Sequence, residues 1–153
     1  PAGAAQAGGL TDLWPALAAQ LRALSQLGAD GLIDLGRRGH THFATPLARA
    51  ADELLLVMRS DLPSVAAVSA AEVPSDAPVR GLLIGPNRPY TAHAVASVIK
   101  REIGVTLPWA PEEAAVLSHG HPEPKRGLKL RKALRQAGEE LHTTSITALG
   151  VSA

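Results

Sequence analysis

Cysteine is absent from the 153 residues, which excludes disulfides, thiol nucleophiles and cysteine zinc sites and suits a reducing cytoplasm. Aromatics are scarce. Trp14, Phe43, Tyr90 and Trp109 are all there are, so the packing must rest on Ala, Leu and Val. No apolar run approaches the roughly 18 to 20 residues that a membrane span needs, and no basic stretch followed by an apolar core marks a signal peptide. Neither sign of charge dominates: fifteen Lys and Arg stand against fourteen Asp and Glu, so a nucleic-acid or membrane partner has to be sought in a local patch. G-x-S-x-G and H-E-x-x-H are missing, which leaves hydrolases of those kinds without support. Gly followed by Lys occurs nowhere, and a phosphate-gripping loop needs that pair, because backbone N–H groups and the ammonium neutralise phosphate together.

What is present fits one α/β domain, since a chain of this length can bury roughly 70% of its unfolded surface. Residues 1–9 read as a flexible linker, 10–142 as the domain and 143–153 as a loose tail. The chain begins Pro1-Ala2-Gly3, which leads to the expectation that it is an internal piece or processed form of something longer.

From Leu10 the positions Leu13, Trp14, Leu17, Leu21, Leu24 and Leu27 recur at helical steps, and Gly28 should end that helix. Four short apolar runs follow: Leu32-Ile33, Leu54–Met58, Leu82–Ile84 and Ile103–Leu107. Each stops at a charge, Gly or Pro, the pattern of strands buried on both faces. Between them lie helical stretches at 45–51, at 62–72 behind Asp61 as N-cap, and at 91–102 behind a Thr cap. Strands alternating with helices imply a mostly parallel sheet with right-handed crossovers and flanking helices. A short helix from Pro111 to about Ser118 and a last one over 127–141 complete the series.

In open parallel sheets ligands gather beyond the carboxyl ends of the strands. Four such ends offer Asp34-Leu35-Gly36-Arg37-Arg38, Arg59-Ser60-Asp61, Gly85 to Tyr90, and Pro108-Trp109. An aspartate ending a strand can hold Mg²⁺ through water while the glycines after it let the loop follow a ligand. The same aspartate can equally cap a turn beside solvated arginines.

The stretch "DGLIDLGRRGHTHFATPLARAADELLLVMRSDLPSVAAV" resembles the second half of the MinD/ParA group of P-loop ATPases: an Asp-ended strand, a helix, an acidic-led apolar strand at Ala51–Val57, and Ser64-Val65 beyond it. "RGLLIGPNRPYTAHAVASVIKREIGVTLPWAPEEAAVLSHG" is similar to the strand, helix and Leu-Pro segment that follow in that group. The resemblance covers about residues 29–141 and implies part of a doubly wound P-loop NTPase-like fold. It implies that Asp34 is a catalytic switch residue near phosphate, contacting Mg²⁺ through water. It also implies that Gly85, Pro86, Asn87 and Arg88, with Pro108, Trp109 and Ala110, line an adenine pocket. ATP and Mg²⁺ are the cofactors implied for an intact protein, in which ATP joins two subunits into a homodimer on a partner or surface and hydrolysis releases them. Septum-site determination, chromosome partitioning and the positioning of pilus or secretion machinery, all cytoplasmic or peripheral at membrane or nucleoid, are the roles implied. Two departures stand out: Leu35-Gly36-Arg37 replaces the usual Pro-containing run, and Asn87 comes two residues past the strand end. With no phosphate loop in it, this chain alone should not hydrolyse ATP. Either that half lies upstream or on another chain, or the protein is a non-enzymatic localisation or scaffold module.

Two further patterns carry chemistry. His40-x-His42 and His119-x-His121 have the spacing of paired metal ligands but no acidic or cysteine companion nearby, so exposed loop histidines are the plainer reading. Lys125 to Arg135 holds six cations in eleven positions beside Leu130, Leu134 and Leu141. It is either a surface that meets DNA phosphates or anionic lipid, as in a DNA-partition protein, or a helix docked by its leucines with solvated charges.

Overall fold

A computed structural model describes residues 13–39, 43–122 and 128–148, without the side chains of 25–26 and 144–148. These residues fall into two compact units. The first holds residues up to Leu54 together with Ala71–Pro78, the second Leu55–Ala70 and everything from Val79 on.

In the first unit, helix α1 (Trp14–Gln26) packs on helix α2 (Thr45–Ala50). The chain leaves α1 through Gly28 at φ 73°, the left-handed exit that glycine takes at least cost. Trp14, Ala18 and Leu21 share a small core with Ala44, Leu47 and Leu35. The remaining leucines of the expected helical face turn outward: Leu13, Leu17, Leu24 and Leu27 are exposed. Leu10 lies outside the described residues.

The first expected strand does not form. Residues 29–37 are irregular, Leu32 is 94% exposed and Ile33 is exposed. Two apolar residues between Asp30 and Asp34 make too short a run, and Gly36 and Gly39 take left-handed φ of 70° and 86°, which no strand accommodates. Arg38 reaches 34 residues along the chain to donate from Nε to the Glu72 carbonyl at 2.6 Å, with Nη2 on the same oxygen, and its guanidinium covers the Phe43 ring.

The α/β sheet is three-stranded: β1 (Leu54–Arg59), β2 (Val79–Ile84) and β3 (Ile103–Leu107), in that order. β2 and β3 are parallel. β1 and β2 are parallel as well, since Leu54 N donates to Pro78 O and Ser60 N to Ile84 O, both partners advancing together. Helices α3 (Leu62–Ser69) and α4 (Ala92–Ile99) are the crossovers. Because consecutive strands are neighbours and the crossovers share one hand, both helices cover the same face. Their core joins Met58, Val65, Leu83, Val95 and Ile99.

The opposite face is covered by α6 (Lys129–Ala148), whose Leu130 and Ala137 meet Val105 and Leu107, while α5 (Pro111–His119) precedes it. β2 feeds both faces, Leu83 to one and Leu82 and Ile84 to the other. β3 manages the same through an irregularity: Gly81 pairs with Ile103 but Leu82 with Val105, so Gly104 is an extra residue. Ile103 and Val105 thereby reach opposite faces.

Several element ends differ from expectation. α3 stops at Ser69 instead of residue 72, and α4 stops at Ile99 because Lys100 turns left-handed at φ 54°. α6 runs on to Ala148, past Leu141 and into the segment expected to be loose. Its Leu134 is exposed, so the docked stripe is Leu130, Ala133, Ala137 and Leu141.

Candidate functional site at the carboxyl ends of the strands

Three strand ends of the second unit hold the candidate residues. After β1 comes Arg59-Ser60-Asp61, after β2 the loop Gly85–Tyr90, after β3 Pro108-Trp109-Ala110. Parallel strands place their carboxyl ends together, and hydrogen bonds fix the loops to one another.

Gly85 N donates to the last carbonyl of β3, Leu107 O, at 2.8 Å. Gly85 has φ 70°, and a β-carbon there would stand 3.3 Å from Trp109 Cβ and 3.7 Å from Arg88 Cδ. The two segments that the resemblance assigned to one pocket are therefore adjacent, with Gly85 as the close approach between them. The loop closes on itself through Asn87 N, which donates to Tyr90 O at 2.7 Å with Asn87 at φ 66°.

Ser60 ties this loop to β1. It is the buried polar residue among the described ones, 1% exposed. Its Oγ donates to Tyr90 O at 2.6 Å and accepts from Tyr90 N at 3.1 Å, so donor and acceptor are both used. A hydroxyl so engaged has no role as a nucleophile; it holds a loop. The sequence pointed to the tripeptide at this strand end but not to Ser60 within it, since nothing local distinguishes a loop-clamping serine from a solvated one.

Asp61 is consumed in a comparable way. Its Oδ1 accepts from Ser64 N at 2.9 Å as the N-cap of α3, and Oδ2 lies 3.0 Å from Arg59 Nε. Hydrogen bonding from Ser64, its hydroxyl foremost and then its backbone N–H, with a smaller pull from Arg59, holds the Asp61 carboxyl below its ordinary value. It is thus a charged cap, poorly suited to act as a base near neutrality. Thr91 caps α4 in the same manner, accepting from Ala94 N at 3.1 Å.

What remains open to a ligand is ring surface and amide. Trp109 is 45% and Tyr90 37% exposed, and Asn87 and Arg88 are exposed at the loop tip. Pro86, Pro108 and Ala110 are half-buried beneath them. The arrangement can stack a flat ring and hydrogen-bond its edge. It presents no nucleophile paired with a base.

Asp34 belongs to the first unit, ends no strand, and is exposed, its Oδ1 accepting from Gly36 N at 2.8 Å in a local turn. That is the capped-turn geometry. Among the described residues no three His, Asp or Glu side chains gather as a metal-binding group. His40 and His42 lie outside the described residues. His119 and His121 have ring centroids 5.8 Å apart, and His119 Nδ1 is 2.6 Å from Ser118 Oγ.

A second feature lies on α6. Leu128, Lys129, Arg131, Lys132 and Arg135 line an open groove of about 630 Å³. Lys125 and Arg126 lie outside the described residues. The start of α6 is capped from α5: Glu113 accepts from Lys129 N at 3.1 Å and from Leu130 N at 3.0 Å, one carboxylate oxygen each. Sequence reasoning missed Glu113, whose partners are 16 and 17 residues away. No described helix is long and apolar enough to cross a membrane.

No family model matches the chain, and neither the curated proteins nor the solved structures contain a match to it.

Proposed function

We propose that these residues are the base-binding part of a MinD/ParA-like, P-loop NTPase-like protein that acts in cytoplasmic positioning or partitioning, and that they bind the nucleoside end of ATP without hydrolysing it. The observation that carries this reading is the junction of the Gly85–Tyr90 loop with Trp109 at one end of a parallel sheet. The indole face receives the adenine ring and the Asn87 amide reads its edge. Phosphate and Mg²⁺ belong to a Gly-Lys loop that residues 1–153 do not contain. In an intact protein that loop and ATP would complete the homodimer switch.

The experiment is a titration of the purified chain with adenosine and with ATP, with and without Mg²⁺, followed by backbone and indole amide shifts. Expected is a response at Gly85, Asn87 and Trp109 that adenosine and ATP produce alike, that is independent of Mg²⁺, and that Trp109→Ala abolishes while Asp34→Ala does not. Silence of these loops at saturating adenosine overturns the reading and leaves the non-enzymatic scaffold.

The basic groove on α6 favours a second reading, a DNA-partition role in which Lys129, Arg131, Lys132 and Arg135 meet backbone phosphates. DNA binding that weakens steeply with salt and is lost in Lys129→Glu with Lys132→Glu supports it. Binding unchanged by that pair removes it.

A further inference from the structure

The end of α5 brings two histidines together. Gly120 stands just past the helix at φ 66°, a left-handed exit that costs glycine least, and His121 N reaches back to donate to Ala115 O at 3.4 Å. The chain thereby folds over its own last turn. The imidazoles of His119 and His121 come to lie with ring centroids 5.8 Å apart, tilted by 47°, and both residues are exposed. Two imidazoles bound to one ion at about 2.0–2.1 Å in tetrahedral directions have centroids roughly 5 Å apart, so closing this pair onto an ion asks for a shift of about 1 Å between two exposed rings.

Hydrogen bonding selects which nitrogen of His119 is offered. Ser118 Oγ lies 3.0 Å from Ala114 O and 2.6 Å from His119 Nδ1. A hydroxyl has one hydrogen to give. The Ala114 carbonyl can only accept it, so both contacts are hydrogen bonds at once when Oγ in turn accepts from Nδ1–H. The lone pair of His119 is then on Nε2. A partner on the other ring nitrogen is what fixes the tautomer and direction of a metal-binding imidazole.

The donor set also selects the ion. Among the described residues no acidic side chain joins the pair. Mg²⁺ and Ca²⁺ require oxygen ligands, whereas imidazole suits Zn²⁺, Ni²⁺ and Cu²⁺, the last bound most tightly. We infer that His119 and His121 chelate one late first-row divalent cation, His119 through Nε2 with Ser118 as its positioning residue, and that water fills the remaining positions. This site lies beyond α5 and does not take the Mg²⁺ of a phosphate loop, so it stands or falls apart from nucleoside binding by the strand-end loops.

The test is titration of the full chain with Zn²⁺, Cu²⁺, Ni²⁺ and Mg²⁺, followed by the ring signals of its six histidines. The background is His40→Ala with His42→Ala, so that the other His-x-His pair does not compete. Zn²⁺ should shift the His119 and His121 rings together, Cu²⁺ should displace it, and Mg²⁺ should move neither. Before metal is added, the ring nitrogens of His119 should report the Nδ1–H form. His119→Ala and His121→Ala should each weaken Zn²⁺ binding by about tenfold or more, and Ser118→Ala by about tenfold, with Ser118→Thr restoring it. Rings at 119 and 121 that stay unmoved at millimolar Zn²⁺, any of the three alanine variants binding as the parent does, or an Nε2–H ring at His119 would each overturn the inference.

Discussion

Two stretches of this chain look much alike as letters and end in opposite states. "ADGLIDL" at 29–35 and "RGLLIGP" at 80–86 each set a short aliphatic run among glycines and charges. In the first, Leu32 is 94% exposed in an irregular segment; in the second, Leu83 is 0% exposed at the centre of a sheet. The difference is neighbours. β2 has a parallel strand on each side and a helical layer on each face, so every backbone group and side chain of the run finds a partner. Residues 29–35 have two aliphatic side chains in sequence between aspartates, and the Asp34 carboxylate turns back onto Gly36 N instead of ending a ladder. An apolar run is a strand only where other strands receive it.

The comparison can be pressed hardest by truncating both leucines. Leu83→Ala should cost about 2–5 kcal/mol by urea unfolding, whereas Leu32→Ala should stay within about 0.5 kcal/mol of the parent. Equal losses would mean that the first stretch is packed after all. The glycines separate next. At Gly81 a β-carbon would come 2.6 Å from Ile103 Cδ1 and 3.2 Å from Met58 Cε, while at Gly36 it would meet nothing within 4 Å. Gly81→Ala has only these two flexible side-chain ends to push aside, so its overpacking cost should sit at the low end, about 1 kcal/mol; at Gly36 the penalty is backbone strain from its positive φ alone.

Ser60→Ala sharpens the point at the loop after β2. It strands the Tyr90 N–H and removes a donor from its carbonyl, at about 1–3 kcal/mol. Amide exchange at Tyr90 and Asn87 should quicken more than at Leu83, and Ser60→Thr should restore part of the protection. Glu113→Ala, which uncaps α6, should cost about 1 kcal/mol by the same unfolding assay.

The smallest effect is one of pH. The Asp61 carboxyl lies below its ordinary value in the folded chain, so its contribution is full above the unfolded carboxylate range and is lost as pH falls through the folded value. Stability measured down through that acid range should fall less steeply in Asp61→Asn than in the parent.

Much of the fold was legible. The apolar run Leu54–Met58 and the alternation of Ile103, Val105 and Leu107, with a Thr or Asp cap and a Pro nearby, announce strand and helix by local chemistry. Leu32-Ile33 misled because two residues set no period. Of the candidate site, the adjacency was legible: strand ends are predictable places, and Gly85–Arg88 and Pro108–Trp109 do come together. Ser60 and Glu113 were not, since each acts on backbone groups distant in sequence.

By itself, the sequence determined an α/β alternation, the capped starts of α3 and α4, and the absence of any Gly-Lys phosphate grip, because each is a matter of residues within a few positions of one another. Only the tertiary structure decided that the sheet has three strands, that Asp34 ends none of them, that Gly104 turns β3 toward both faces, and that Trp14, Ala18 and Leu21 of α1 are packed while Leu13, Leu17 and Leu24 face outward. Those outcomes depend on which distant surfaces meet, and hydrophobic burial, being non-directional, leaves that choice to the whole chain.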